Sequence, residues 1–179
     1  MTYEEDFLTS DEERDIVHGV EELSFGLVEM HGVVAKRRVA HFGVGYEYNS
    51  RNLREGEPLP GFLDVLRRMV EKQVGLDGGE LREVLVTEYR PDAGIGWHRD
   101  APAFGLVAGV SLLSVCRFKM RPMPGTPGEP FELRVAPRSL YSFVGHARWR
   151  WQHSIPAAKE LRYSITFRTL RNDRTSEGA

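Results

Sequence analysis

The chain has 179 residues, 41% of them hydrophobic, a formal net charge of −2 and a single cysteine, Cys116. That length suits one domain with its own core, the composition excludes a disordered chain, and the near-neutral charge excludes a uniformly basic nucleic-acid binder. A lone cysteine rules out an intrachain disulfide and no apolar run approaches a membrane span. The acidic start Met1-Thr2-Tyr3-Glu4-Glu5-Asp6 is no signal peptide, so a cytoplasmic protein with no membrane partner is expected.

Ser10-Asp11-Glu12-Glu13 reads as a capping box, and Ile16, Val17, Val20 and Leu23 follow at helical spacing, which predicts a helix near 11–23. Residues 25–48 are mixed. They hold Val33-Val34, a run from Arg37 to Phe42, and Gly43-Val44-Gly45-Tyr46-Glu47-Tyr48, whose glycines suggest bends or a close approach of backbone to a ligand. Pro58 and Pro60 precede Phe62, Leu63, Leu66, Val70 and Val74, a second amphipathic helix over 60–74 with proline at its start and Gly75 near its end. Asp77-Gly78-Gly79 is a turn.

Beyond residue 80 the pattern changes to short strands, predicted near 83–90, 108–121, 131–136, 139–144, 148–154 and 162–170. Pro122 to Pro130, with four prolines and two glycines, is a loop, and the polar tail after Arg171 is expected to fray. Helices first and strands afterwards predict an α+β chain whose strands form a jelly roll, two sheets enclosing a pocket. The expected organisation is one domain over 1–171, with a helical and lid part to about residue 80, a β core over about 81–171, and a tail over 172–179.

Five scattered residues carry the chemistry: His98, Asp100, His153, Arg162 and Arg168. His98 and Asp100 are two apart in an extended segment and so share a face. His153 could complete a two-histidine, one-carboxylate facial triad, the arrangement that holds iron(II) and leaves positions open for oxygen chemistry. In Arg162-Tyr163-Ser164-Ile165-Thr166-Phe167-Arg168, the two arginines, Ser164 and Thr166 alternate with Tyr163, Ile165 and Phe167. Arginines directed into a β core need an anion, and a dicarboxylate cosubstrate would supply one. The alternative is the reverse arrangement, with the arginines in solvent and the apolar residues inside. His18, His31, His41 and His146 belong to no such motif.

Tyr89, His98-x-Asp100, His153 and Arg162-x-Ser-x-Thr-Phe-Arg168 together resemble the AlkB family of iron(II)- and 2-oxoglutarate-dependent dioxygenases. The Pro91/Gly94 turn, the helix at 60–74 and the aromatic stretch Phe42-Gly43 to Tyr46-x-Tyr48 fit the same family, so the resemblance runs from about Arg37 to Arg168. It implies a double-stranded β-helix with the N-terminal helices packed outside. It implies iron on His98, Asp100 and His153, and the distal carboxylate of 2-oxoglutarate on Arg162 with help from Tyr89. Arg168 would lie near the metal-bound end of the cosubstrate, and Thr87 would stand where repair members carry a cosubstrate-binding asparagine. The implied reaction consumes dioxygen and 2-oxoglutarate, releases succinate and carbon dioxide, and hydroxylates a substrate C–H bond; on an N-methyl group the product collapses to formaldehyde.

In nucleic-acid members of the family a lid before the β core grips a flipped base. Here the matching stretch is Arg37 to Tyr48, with Arg38, Phe42, Tyr46 and Tyr48 as candidate contacts, suited to single-stranded or flipped-base nucleic acid. Lys36-Arg37-Arg38 and Arg148/Arg150 are candidates for a local basic groove. Demethylation of alkylated bases in DNA or RNA is the first expectation. A protein or small-molecule substrate is the alternative, because Pro102 stands where repair members carry an acidic residue that reads the damaged base.

Overall fold

In the computed structural model of this chain, residues 1–30, 32–47 and 52–171 are described. The helix α1 (Ser10–Glu21) starts one residue earlier than its sequence signal: Thr9 is the cap, its hydroxyl accepting from Glu12 N at 3.2 Å while Glu12 accepts from Thr9 N at 2.8 Å. This leaves Glu13 free to accept from Leu113 N at 2.8 Å, at a left-handed turn (φ 72°) on the far side of the molecule's sequence. The helix α2 (Gly61–Gln73) has Pro60 at its N-terminal boundary, with no side-chain capping bond, and ends in Val74-Gly75, the glycine at φ 72° as a C-terminal glycine should be. Its buried Glu71 accepts from Gly79 N and Leu81 N, both at 2.9 Å, and so ties the Asp77–Gly79 turn to the helix.

The strands are β1 (Thr2–Glu4), β2 (Gly26–Met30), β3 (Val33–Glu47), β4 (Asn52–Glu55), β5 (Leu81–Tyr89), β6 (Ile95–His98), β7 (Phe104–Leu112), β8 (Cys116–Pro122), β9 (Phe131–Val135), β10 (Leu140–Phe143), β11 (Trp151–Ile155) and β12 (Arg162–Leu170). The predicted strand at 108–121 is two strands, because the chain turns at Leu113. The predicted strand at 148–154 begins as a short helix, α3 (Gly145–Trp149), before β11. Among the described residues the larger sheet runs β1-β10-β7-β12-β5-β3-β2, with β4 beside β3, and the smaller runs β6-β11-β8-β9.

Alternation sorts the side chains into two cores. Val84, Val86, Ala108, Val110, Ile165 and Phe167 face Ile16 and Val20 of α1 and Leu63, Leu66 and Val70 of α2. Val107, Phe118, Met120, Val135, Tyr141 and Phe143 fill the space between the sheets. Each fully buried side chain of this kind contributes about 1.5–3 kcal/mol. The result is a jelly roll with α1 and α2 on the outer face of the larger sheet. The tail after Arg171, His31 and Tyr48 lie outside the described residues. No helix among those described is long and apolar enough to cross a membrane.

Candidate active site

His98 and His153 are direct register partners across β6 and β11. Antiparallel partners project to the same face, so residues distant in the sequence become neighbours, with ring centroids 4.2 Å apart at 61°. The His153 ring stacks on Phe118 (5.3 Å, 16°) and lies 5.5 Å from Phe143. The His98 Nδ1 is 2.8 Å from the Gly96 carbonyl; in the neutral ring that nitrogen donates and Nε2 keeps its lone pair. Burial pushes the His153 pKa down to about 3, with His98 adding to the shift, and burial lowers that of His98 as well. Both rings are therefore neutral at physiological pH, as metal ligands must be.

Asp100 completes the group, its side chain 5% exposed and its Oδ2 3.6 Å from His153 Nε2. Its Oδ1 accepts from Arg168 Nε at 2.8 Å and from Arg168 Nη2, and Arg168 Nη1 donates to Glu83. Burial alone would raise the Asp100 pKa, but Arg168 above all, then His153, Arg148 and His98, hold it well below the carboxylate range. Among the described residues no group of three or more His, Cys, Asp or Glu side chains is placed so as to hold a metal ion as it stands. His98, Asp100 and His153 are nonetheless brought together on one side of the inter-sheet space.

Arg162 pairs with Tyr89 across β12 and β5, and its guanidinium carbon lies 5.3 Å from the Tyr89 ring. It is 1% exposed. Its Nε donates to Ser111 Oγ at 3.0 Å, while Nη1 and Nη2 have no partner among the described residues. A buried guanidinium with two unmet donors costs several kcal/mol. Both arginines face the inter-sheet pocket, whereas Tyr163, Ile165 and Phe167 face the helices, so the solvent-facing alternative for the arginines does not hold. Thr87, 5% exposed, faces the same pocket two residues before Tyr89, opposite Ser164. Burial pushes the Tyr89 hydroxyl up to about 12, so it remains a protonated donor.

The lid candidates divide. Phe42 is in register with Val84 and packs in the helix-facing core, and Arg38 is in register with Glu88 on that same outer face, donating to it at 2.9 Å and lying over Phe25. Neither reaches the pocket: the alternation was legible, but which parity faces inward is set only by the pairing with β5. The neighbour of odd parity, Arg37, is half-buried on the pocket side, and its charge is felt at Tyr89 and His98. Tyr46 stands edge-on to Phe104 at 6.2 Å, and Phe104 lies 5.4 Å from the Arg168 guanidinium carbon, which puts Tyr46 at the pocket wall.

The sequence profile of the 2OG-Fe(II) oxygenase superfamily matches residues 5–168. The chain belongs to the 2OG-Fe(II) oxygenase superfamily. It is an AlkB-like member. It is 27% identical over 205 residues to the "Alkylated DNA repair protein ALKBH8 homolog" of Arabidopsis thaliana, covering 93% of this chain and 57% of that one. It is 25% identical over 160 residues to the "tRNA (carboxymethyluridine(34)-5-O)-methyltransferase alkbh8" of Xenopus tropicalis, covering 87% of this chain and 25% of that one. The chain thus spans only part of the curated relatives it matches. The solved structure of OsALKBH1 superposes with a TM-score of 0.67 at 15% identity, covering 93% of this chain and 95% of that one, a likeness of fold.

An AlkB-like 2OG-Fe(II) oxygenase uses iron(II), 2-oxoglutarate and dioxygen, and the residues present fit that set. Two neutral imidazoles and one ionised carboxylate are the donor chemistry of a facial iron(II) site. Two unmet guanidinium donors beside a protonated tyrosine are the donor chemistry for a carboxylate. Sequence reasoning missed Ser111, which holds Arg162, and Glu83, which holds Arg168. Glu83 was legible in principle: it shares the parity of Thr87 and Tyr89, and a carboxylate on an inward strand position needs a cation.

Proposed function

We propose that this oxygenase oxidises an alkyl group on a base of single-stranded or flipped-out nucleic acid. His98, Asp100 and His153 hold iron(II), which when bound couples the oxidative decarboxylation of 2-oxoglutarate to hydroxylation of a substrate carbon. Arg162, steadied by Ser111, takes the distal carboxylate on Nη1 and Nη2, and the Tyr89 hydroxyl donates to the same end. Thr87 offers a further hydroxyl there. Arg168 fixes Asp100 and stands at the pocket wall towards the other end of the cosubstrate. The catalytic unit is residues 1–171. One oxygen atom leaves in succinate and the other becomes the substrate hydroxyl; on an N-methyl group the hydroxyl then gives up its proton as the C–N bond breaks, the electron pair stays on nitrogen, and formaldehyde and the demethylated nitrogen result.

The observation that carries the reading is the buried Arg162 with two unmet donors, in the same inter-sheet space as the paired histidines. The nucleic-acid half is supported by Tyr46 and Arg37 at the pocket, and by relatives whose names refer to alkylated DNA and to tRNA. The test is formaldehyde release from N-methylated single-stranded DNA and RNA oligonucleotides, with His98→Ala as the control. Release that depends on His98 supports the reading. Succinate formed without formaldehyde from any oligonucleotide overturns the demethylation half. It would favour a protein or small-molecule substrate, the second reading, which the exposed Pro102 after Asp100 supports.

A further inference from the structure

A concave groove of about 1030 Å³ lies where the ends of β12 and α3, the β8–β9 loop and the start of β5 meet. Its lining includes Arg82, Arg99, Arg148, Arg150 and Arg171 against one acid, Glu80, a formal charge of +4 in a chain whose total is −2. Arg148 is buried and committed to the fold: it donates to the carbonyls of Ala101 (2.7 Å), Phe104 (2.9 Å) and Gly105 (3.0 Å) and so fixes the loop after Asp100. The other four are exposed, and among the described residues none of them makes an ion pair. Trp149 gives the groove an aromatic element, with the guanidinium carbons of Arg148 and Arg171 4.4 and 5.1 Å from its ring, and its carbonyl accepts from Arg99 Nη1 at 2.9 Å.

Five like charges gathered against a single acid among the described residues repel one another, so they are not there for stability. The volume is at the upper limit of small-ligand pockets, and cations beside an aromatic ring match the chemistry of a nucleic-acid backbone. The groove also adjoins the reacting centre. Segment 98–100 is common to both: His98 and Asp100 face the inter-sheet pocket and Arg99 lines the groove.

We propose that this groove is a binding track for a single-stranded polynucleotide, taking the phosphates that flank the nucleotide in the pocket; this rests on the nucleic-acid reading above. Arg82, Arg150 and Arg171 are its cations without an ion pair among the described residues, and Arg99 and Trp149 mark its end nearest the iron site.

The test is fluorescence anisotropy of a labelled single-stranded RNA and its DNA counterpart over a range of salt. It compares the wild type with the triple variant Arg82→Gln, Arg150→Gln, Arg171→Gln, and with a charge-matched control, Arg14→Gln, Arg68→Gln, Arg117→Gln, whose sites do not line the groove. The salt slope of the groove variant should fall by about 2, since each phosphate contact on a single strand contributes about 0.7. Its affinity should fall about 10- to 100-fold at low salt while the control stays close to wild type. The thermal shift given by 2-oxoglutarate should be equal in all three, which certifies the fold. Equal losses in both variants would mean bulk charge and overturn the track. Absence of binding by the wild type would overturn the track and the nucleic-acid reading together. Groove-dependent binding without product from any alkylated oligonucleotide would leave the track standing and remove the demethylation reading alone.

Discussion

Arg168 meets Asp100 on a single carboxylate oxygen. Nε and Nη2 both donate to Oδ1, and Oδ2 is left turned towards His153 Nε2 at 3.6 Å. One oxygen is thus held by Arg168, and the other is the one that the proposed iron site would use. Arg168 is in turn held by Glu83, which divides its charge between two buried carboxylates.

Glu83→Gln keeps the shape of that chain and removes one charge. Arg168 then directs its whole charge at Asp100 and makes Oδ2 a poorer donor. We expect divalent-metal affinity to fall about 10- to 100-fold, the usual effect of a change next to a metal ligand. Calorimetric titration with manganese(II) reads it directly; an unchanged Kd would reduce Glu83 to a buried counter-ion.

Arg162→Met removes the two unmet donors. The 2-oxoglutarate requirement should rise about 10- to 100-fold, the equivalent of a hydrogen-bonded charge worth about 1.5–3 kcal/mol. The ligand-free protein should be no less stable, since an uncompensated buried charge has gone. Melting curves with and without 2-oxoglutarate separate the two effects: the wild type shifts upward and the variant does not. A normal shift in the variant would mean the cosubstrate binds elsewhere.

His98→Ala, His153→Ala and Asp100→Ala should each reduce succinate formation to background and leave the far-ultraviolet circular dichroism unchanged. The three act on one ion, so the double variant His98→Ala/His153→Ala should be no worse than either single one. Residual turnover in any single variant comparable to the wild type would remove that residue from the metal site.

The ion pair on the outer face supplies a pH dependence. Hydrogen bonding from Arg38 lowers the Glu88 pKa against the opposing effect of burial, with Arg90 adding to it. A carboxylate depressed in the folded state contributes stability above its ordinary value of about 4.5, and loses it as the pH falls through the lowered native value. Arg38→Met should therefore melt below the wild type at pH 7, and the gap should close on acidification. A gap that stays constant to low pH would show the loss to be one of packing on Phe25.

The site was legible where strand alternation set two strong chemistries against each other. In 162–168 every second residue is polar and the rest are apolar, and the structure keeps that division with both sides buried. The jelly roll was expected from the strands beyond residue 80, but the order of helices first and strands after does not hold: β1 to β4 lie before residue 80, and β3 joins β5 in the larger sheet. What escaped the sequence was short or lacked a signal. β6 has four residues, too few for a period. The break between β7 and β8 falls at Leu113, with no glycine or proline to mark it. In β3 the parity was visible but its direction was not, so Arg38 and Phe42 stood as candidates where Arg37 faces the pocket. That choice belongs to the register with β5, a long-range pairing that no local window contains.

The six-residue interval between Arg162 and Arg168 has a genetic consequence. β12 is hydrogen-bonded on both sides, to β5 and β7, so it cannot slide to repair an error. Deleting one residue inside the interval would leave the two arginines on opposite faces, with one driven among Ile16, Val20 and Leu66. Adding two residues to the native segment would keep the face but displace one guanidinium by about 6–7 Å along the strand. This segment can therefore accept exchanges of side chain but no change of length: insertions and deletions should be absent from any functional library made across it.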